Sequence, residues 1–282
     1  MRPSHLEYVL VQLPTAAIIT ILSELDILSL IQLSRTNSHL HNIYLWYHEL
    51  TWDPMARYRL WFVHPSAFVR LIRRANAIIS GSFALQFFDR SHYIGSDMDI
   101  YLRSAGVQEV CRWLLEQGYY YTTHQRKYDR VPLKHQQHIE KALKNTSSVE
   151  SPLLGVYEFR KALVSATGYI VIRRVQVIAV DINPIDHVLF DFHSTVVMNF
   201  ITADDAVSIF PMATLVRRLS FITSNQPLPS NRTPKWRKKY EERGFSFLDG
   251  NSHTNHALLK TGSRHVMDKH CWHISLPGIM HS

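Results

Sequence analysis

The sequence predicts an α/β (α+β) fold: a mixed sheet flanked by helices, with a small helical module at its N-terminus. Three observations carry this. Short apolar runs alternate with amphipathic stretches over residues 77–121, in the order strand, helix, strand, helix, strand. Two long β-type runs, 169–172 and 175–180, come later in the chain. Helix-period patterns occupy both ends.

Taken in order, Leu13 and Pro14 open a stretch with Ile18, Ile21, Leu22 and Leu25 at helical spacing. Pro14 is tolerated in a first turn, and Asp26 caps a second helix carrying Ile27, Leu28, Leu30, Ile31 and Leu33. A third helix covers 38–47. So small a bundle has little interior of its own and leans on the rest of the chain. Asp53 and Pro54 cap a helical pattern that runs through Trp61, and another helix covers 65–74.

Residues 77–80 are apolar and bounded by Gly81, which suits a buried strand. Residues 83–88 read as helix and 98–102 as a strand with alternating faces. Residues 107–117 read as a helix closed by Gly118, and 119–121 as a strand. The polar, breaker-rich stretch 144–152 is a surface loop. Asn183 and Pro184 cap a helix to about Phe192, and 195–201 reads as a strand. Three prolines exclude regular helix from 225–234. The division expected is a module at 1–50, a main domain at 51–224 and an extension at 225–282 packing on it.

The chain has 282 residues, 46% of them hydrophobic, enough for a continuous core without disulfides or structural metal. Its two cysteines, Cys111 and Cys271, have no metal-ligand spacing and suit a reducing compartment. No run approaches the roughly 20 apolar residues of a membrane span, and Met1 to Leu13 lacks the basic start of a signal peptide. A cytoplasmic or nuclear location is the expectation. The formal net charge of +8 is compatible with polyanionic partners without requiring them. The densest basic run, Lys235-Trp236-Arg237-Lys238-Lys239, reads as a solvated helix start or a phosphate-contacting patch. His135, His138, His265, His270 and His273 match no zinc spacing. Asp191, His193 and Ser194 lack the strained elbow of a nucleophilic serine.

The string that carries chemistry is Ile79-Ser80-Gly81-Ser82, then fourteen residues, then Asp97-Met98-Asp99-Ile100-Tyr101. A Gly-Ser pair between strand and helix lets backbone approach a phosphate at a helix N-terminus. Two acids one residue apart on a strand share a face. Paired carboxylates can hold Mg²⁺, which prefers carboxylates, phosphate oxygens and water. The alternative reading makes Asp97 and Asp99 strand-end acids and Gly81-Ser82 an ordinary turn.

This pattern resembles the signature of the nucleotidyltransferase superfamily, and residues 78–90 with 96–102 resemble a fungal branch of it. Phe192 to Asn199, Phe210 to Thr214 and Lys239 to Gly244 are similar to the same branch. The resemblance implies Asp97 and Asp99 as metal ligands, Gly81 and Ser82 on the triphosphate, and a third carboxylate from a neighbouring strand. Gln176 stands where that acid is expected, and Asp181, one step past the strand, is the nearest substitute. The implied activity is Mg²⁺-dependent transfer of a nucleotidyl group from an NTP to an acceptor hydroxyl on RNA, protein or a small molecule.

Residues 13–47, with Leu13-Pro14, Ile21-Leu22, Ile27-Leu28 and Leu33-Ser34-Arg35, resemble an F-box, although the usual acid after Leu-Pro is Ala16. That resemblance implies docking onto the Skp-type linker of a cullin ubiquitin ligase through exposed apolar side chains. Two readings therefore stand: a nucleotidyltransferase, and a non-catalytic adapter. The residue beside Asp97 and Asp99 in the folded chain discriminates between them.

Overall fold

The computed structural model describes residues 12–122, 153–164, 168–223, 233–248, 258–260 and 264–276. The expected loop at 144–152, most of the proline-rich stretch at 225–234, His135 and His138 lie outside them.

An eight-stranded mixed sheet forms the centre, with helices packed against it. Three helices come first: α1 (Thr15–Glu24), α2 (Ile27–Ser34) and α3 (Ser38–Thr51). Asp26 accepts from Ser29 N and Asn37 from Leu40 N, so the caps set the starts of α2 and α3. Two short helices come next, α4 (Pro54–Tyr58) and α5 (Pro65–Arg74). Asp53 caps α4 through Met55 N and Ala56 N, and tight turns carry the chain on to Trp61.

The central unit is β1 (Ile78–Ser80), α6 (Gly81–Asp89), β2 (Met98–Arg103), α7 (Ser104–Glu116) and β3 (Tyr120–Thr122). Along β2 the faces alternate: Met98, Ile100 and Leu102 are fully buried, while Asp97, Asp99 and Tyr101 point the other way. β4 (Leu153–Val164) and β5 (Ile170–Val180) form a long antiparallel hairpin, and β5 runs parallel to β2. The two runs expected at 169–172 and 175–180 are thus one strand. Its partner β4 is not expected from the sequence, because Glu158, Arg160 and Lys161 interrupt the apolar pattern.

α8 (Pro184–Phe190) starts with Asn183 accepting from Ile185 N. The strand expected over 195–201 is corrected: Thr195–Val197 form a 3₁₀ turn, and only β6 (Asn199–Ile201) is extended. Side chains satisfy the backbone there. Ser220 Oγ accepts from Val196 N, and the Asn199 amide donates to Val196 O.

β7 (Asp205–Ser208) is next, then a π-helical turn at Met212–Val216, β8 (Leu219–Phe221), α9 (Lys235–Glu241), β9 (Ser246–Leu248) and β10 (Trp272–Ser275). The sheet order is β10-β7-β6-β1-β2-β5-β4-β3, and β8 pairs separately with β9. The C-terminal segment therefore supplies an edge strand of the main sheet. Among the described residues no helix is long and apolar enough to cross a membrane.

The N-terminal helices do lean on the main domain. Leu22, Leu30, Leu40 and Tyr47 are buried. The Trp52 indole donates to Phe88 O at 3.3 Å, and Arg90 donates to Leu22 O, Leu25 O and the Tyr47 hydroxyl. Those bonds tie α1 and α3 to the end of α6.

Candidate functional site

The site forms where β1 turns into α6. Gly81 has φ +66°, and a Cβ built on it would collide with Asp99 Oδ2. Only glycine accepts both the conformation and the approach. Ser80 precedes the helix but turns inward, its hydroxyl on Asn199 O at 2.6 Å, and makes no cap bond. The first N–H groups of α6 are left without a side-chain cap, next to the Asp99 carboxylate.

Register explains the rest. Ser80 pairs with Asp99 across β1 and β2, Asp99 with Gln176 on β5, and Gln176 with Glu158 on β4. Register partners in neighbouring strands project to one face, so the row reads Ser80, Asp99, Gln176, Glu158. The neighbour of Asp99 is an amide. Glu158 lies one strand further and is held by Arg160 and by Thr122.

Asp181 is corrected as a third ligand. β2 and β5 run parallel and Val180 pairs with Arg103, so Asp181 lies five residues beyond Gln176. At about 3.3 Å per residue that is roughly 16 Å along the strand. Asp181 is exposed at the opposite end of the sheet, and Asp186 is exposed in α8.

Asp97 is gripped by Arg174, which also donates to Gly95 O at 3.3 Å. Burial raises the Asp97 pKa, opposed by Arg174. Asp99, without an ion-pair partner among the described residues, is pushed up to about 7 by burial first and by the Asp97 charge second. Such a carboxylate is short of positive charge.

A cationic wall faces the two acids. Lys239 is exposed on α9 and forms no ion pair with either acid, yet its charge opposes the upward shift of both. Its own pKa is lowered, first by loss of hydration around its ammonium and then by the Arg243 charge. Arg243 donates to Ser82 Oγ at 2.9 Å and to Ser96 Oγ at 3.1 Å, and its guanidinium covers the Tyr93 ring at 4.0 Å. Ser82 Oγ also lies 3.1 Å from the buried Tyr240 hydroxyl.

Behind Tyr240, His193 stacks on Trp236 at 4.0 Å, and burial takes its pKa down to about 4. His193 is bonded to Ser194, while Asp191 bonds His187, so these residues make no catalytic relay.

The structure thus brings together Gly81, Ser82, Asp97 and Asp99 and leaves Asp181 apart. Sequence reasoning missed Arg174 and Arg243 as site residues. For Lys239 a signal existed in the basic run, whereas Arg243 lies in the turn after α9, where helical spacing no longer applies. The basic run divides accordingly: Lys235 and Lys238 are exposed, Arg237 pairs with Glu241, and Lys239 turns to the acids.

Two carboxylates at i and i+2 suit a Mg²⁺ ion that brings phosphate oxygens and water with it. Among the described residues no group of three or more His, Cys, Asp or Glu side chains is placed to cage an ion. No protein-family model, curated protein or solved structure matches the chain.

Proposed function

We propose that this site binds a nucleoside triphosphate together with Mg²⁺, in the manner of a nucleotidyltransferase. The observation that carries the reading is the seat of Asp99 against Gly81, with Asp97 on the same face and an uncapped helix start beside them. Asp97 and Asp99 would hold the ion, which when bound screens phosphate charge and polarises the phosphorus. The Gly81 backbone and Ser82 would receive phosphate oxygens at the helix N-terminus. Lys239 and Arg243 supply cations that exposed phosphates need and that neither acid pairs off.

Transfer would join an acceptor hydroxyl oxygen to the α-phosphorus, release pyrophosphate and move the hydroxyl proton to a base. Gln176 is neutral and cannot take that proton. Among the described residues the register neighbour of Asp99 is this amide, so the reading is one of binding and charge neutralisation, with slow transfer.

The amide at Gln176 favours a second reading, a non-catalytic adapter. On the N-terminal helices Ile21, Leu28, Leu45, Trp46 and Leu50 are each more than a third exposed, which suits docking to a Skp-type ligase component.

Calorimetric titration of ATP, and then of the other three nucleoside triphosphates, separates the two. Mg²⁺-dependent binding lost in Asp97→Ala/Asp99→Ala supports the nucleotide reading. Folded wild-type protein that binds none of the four refutes it and leaves the adapter.

A further inference from the structure

Away from the acid pair, a cavity of about 480 Å³ opens between α2, the π-helical turn at Met212–Val216 and the segment leading into β10. That volume falls in the range of small-molecule sites, roughly 300–1,000 Å³. Its walls are apolar, with Ile27, Ile31, Phe210, Leu215 and Trp272 among them. Leu215 is almost wholly buried, and Trp272 is braced by Trp52 and Phe88 at ring distances of 5.1 and 5.4 Å.

The polar part of the lining has one sign. Among the described residues Arg35, Lys260, Arg264, Lys269 and His270 line the cavity, and no aspartate or glutamate does. Arg264 is already committed to Asp268, Leu259 O and Ile209 O. Arg35, Lys260 and Lys269 are exposed, and their side chains form no ion pair or hydrogen bond with the described residues. An apolar chamber whose rim carries cations without partners among the described residues complements a molecule with the opposite layout.

We propose that this cavity binds an anionic amphiphile, a medium-length acyl chain carrying one carboxylate head. The chain lies against Ile31, Leu215 and Trp272, and the head meets Arg35 and Lys269 at the rim. The site lies outside the acid pair and its cationic wall, and so stands independently of the nucleotide reading.

The test is calorimetric titration of the full-length chain with dodecanoate and with dodecan-1-ol, both below their aggregation limits. The expected result is at least tenfold tighter binding of the acid. Arg35→Glu/Lys269→Glu should erase that preference, whereas Arg59→Glu, a reversal at an exposed site outside the lining, should keep it. Both reversals alter exposed side chains, and matching unfolding temperatures check that the fold persists. No binding, equal binding of acid and alcohol, or a preference that survives the double reversal overturns the proposal. So does sedimentation showing a dimer of the ligand-free protein that the double reversal dissociates, since the cavity would then belong to a second copy of the chain.

Discussion

Gly81 and Asp99 share one space: the Asp99 carboxylate occupies the volume that any side chain at position 81 would need. The contact joins the first residue of α6 to the start of β2 and fixes where the acid points. It also links the conformational freedom of one residue to the chemistry of the other.

Gly81→Ala should be costly in two ways. The positive φ penalises any L side chain by about 1–2 kcal/mol, and the new methyl displaces the Asp99 carboxylate. We expect a loss of about 2–3 kcal/mol in denaturant unfolding together with loss of Mg²⁺-dependent ATP binding. Asp99→Ala in the Gly81→Ala background should recover part of the stability, because the colliding oxygen is gone. A double-mutant cycle without coupling would show that the contact is not what makes the substitution harmful.

The raised pKa of Asp99 makes a signed prediction. The folded state keeps the proton up to about pH 7, while the unfolded chain releases it near 3.8, the ordinary aspartate value. Between those values the native state binds more protons than the unfolded state, so stability falls as pH rises through the window. Asp99→Asn removes the effect. The variant should be more stable than wild type at pH 8, with the advantage shrinking to nothing by pH 4. Parallel stability curves for the two proteins across that range would exclude the assignment.

Arg218 reaches Asp89 at 3.0 Å, donates to Arg243 O at 2.6 Å and covers the Phe245 ring at 3.9 Å. It connects the end of α6 to the segment that positions Arg243. The Asp89 side chain is only 4% exposed, so Arg218→Ala leaves a nearly buried carboxylate short of its partner. Removing one member of a buried pair costs about 3–5 kcal/mol, and the partial exposure of Arg218 brings this to about 2–3. Arg218→Ala/Asp89→Asn should be more stable than Arg218→Ala alone, as thermal unfolding would register.

Local chemistry was legible in the sequence where one short segment decides it. Asp26, Asp53 and Asn183 cap the helices they were expected to cap, and Asp97 and Asp99 share a face because the strand period is two. Pairings between distant segments were not legible. β4 owes its strand to eleven residues of pairing with β5, and its charges hide the apolar face. Thr195–Val197 leave the extended state because side chains from Ser220 and Asn199 satisfy their backbone. The Arg174 grip on Asp97 needs the β2–β5 register, which no local pattern encodes. The same register set Asp181 aside.

Arg90 should behave as the fastening of the N-terminal helices. Its guanidinium donates to two backbone carbonyls and to the Tyr47 hydroxyl, and these acceptors lie on or just after α1 and on α3. Arg90→Ala leaves them without their donor, at a cost of about 1–3 kcal/mol. Limited proteolysis should then cut within residues 12–51 at least tenfold faster than in wild type. Unchanged cleavage there would mean that apolar packing alone fastens the module.

Gln176 decides whether the site lacks only a charge. In Gln176→Asp a carboxylate stands beside Asp99 in the register row, where like charge raises the pKa of its neighbour still further. The metal-free variant should lose stability above pH 7. With ATP present a third acid gives the ion another ligand, and Mn²⁺ affinity should rise about tenfold, equivalent to about 1.4 kcal/mol. If this is a nucleotide site that lost one ligand, both effects appear together. If it never held a metal, the variant is destabilised and gains nothing from Mn²⁺ and ATP. The same two titrations, read by calorimetry and by thermal unfolding, therefore separate a depleted active site from a sheet whose acids have only a structural role.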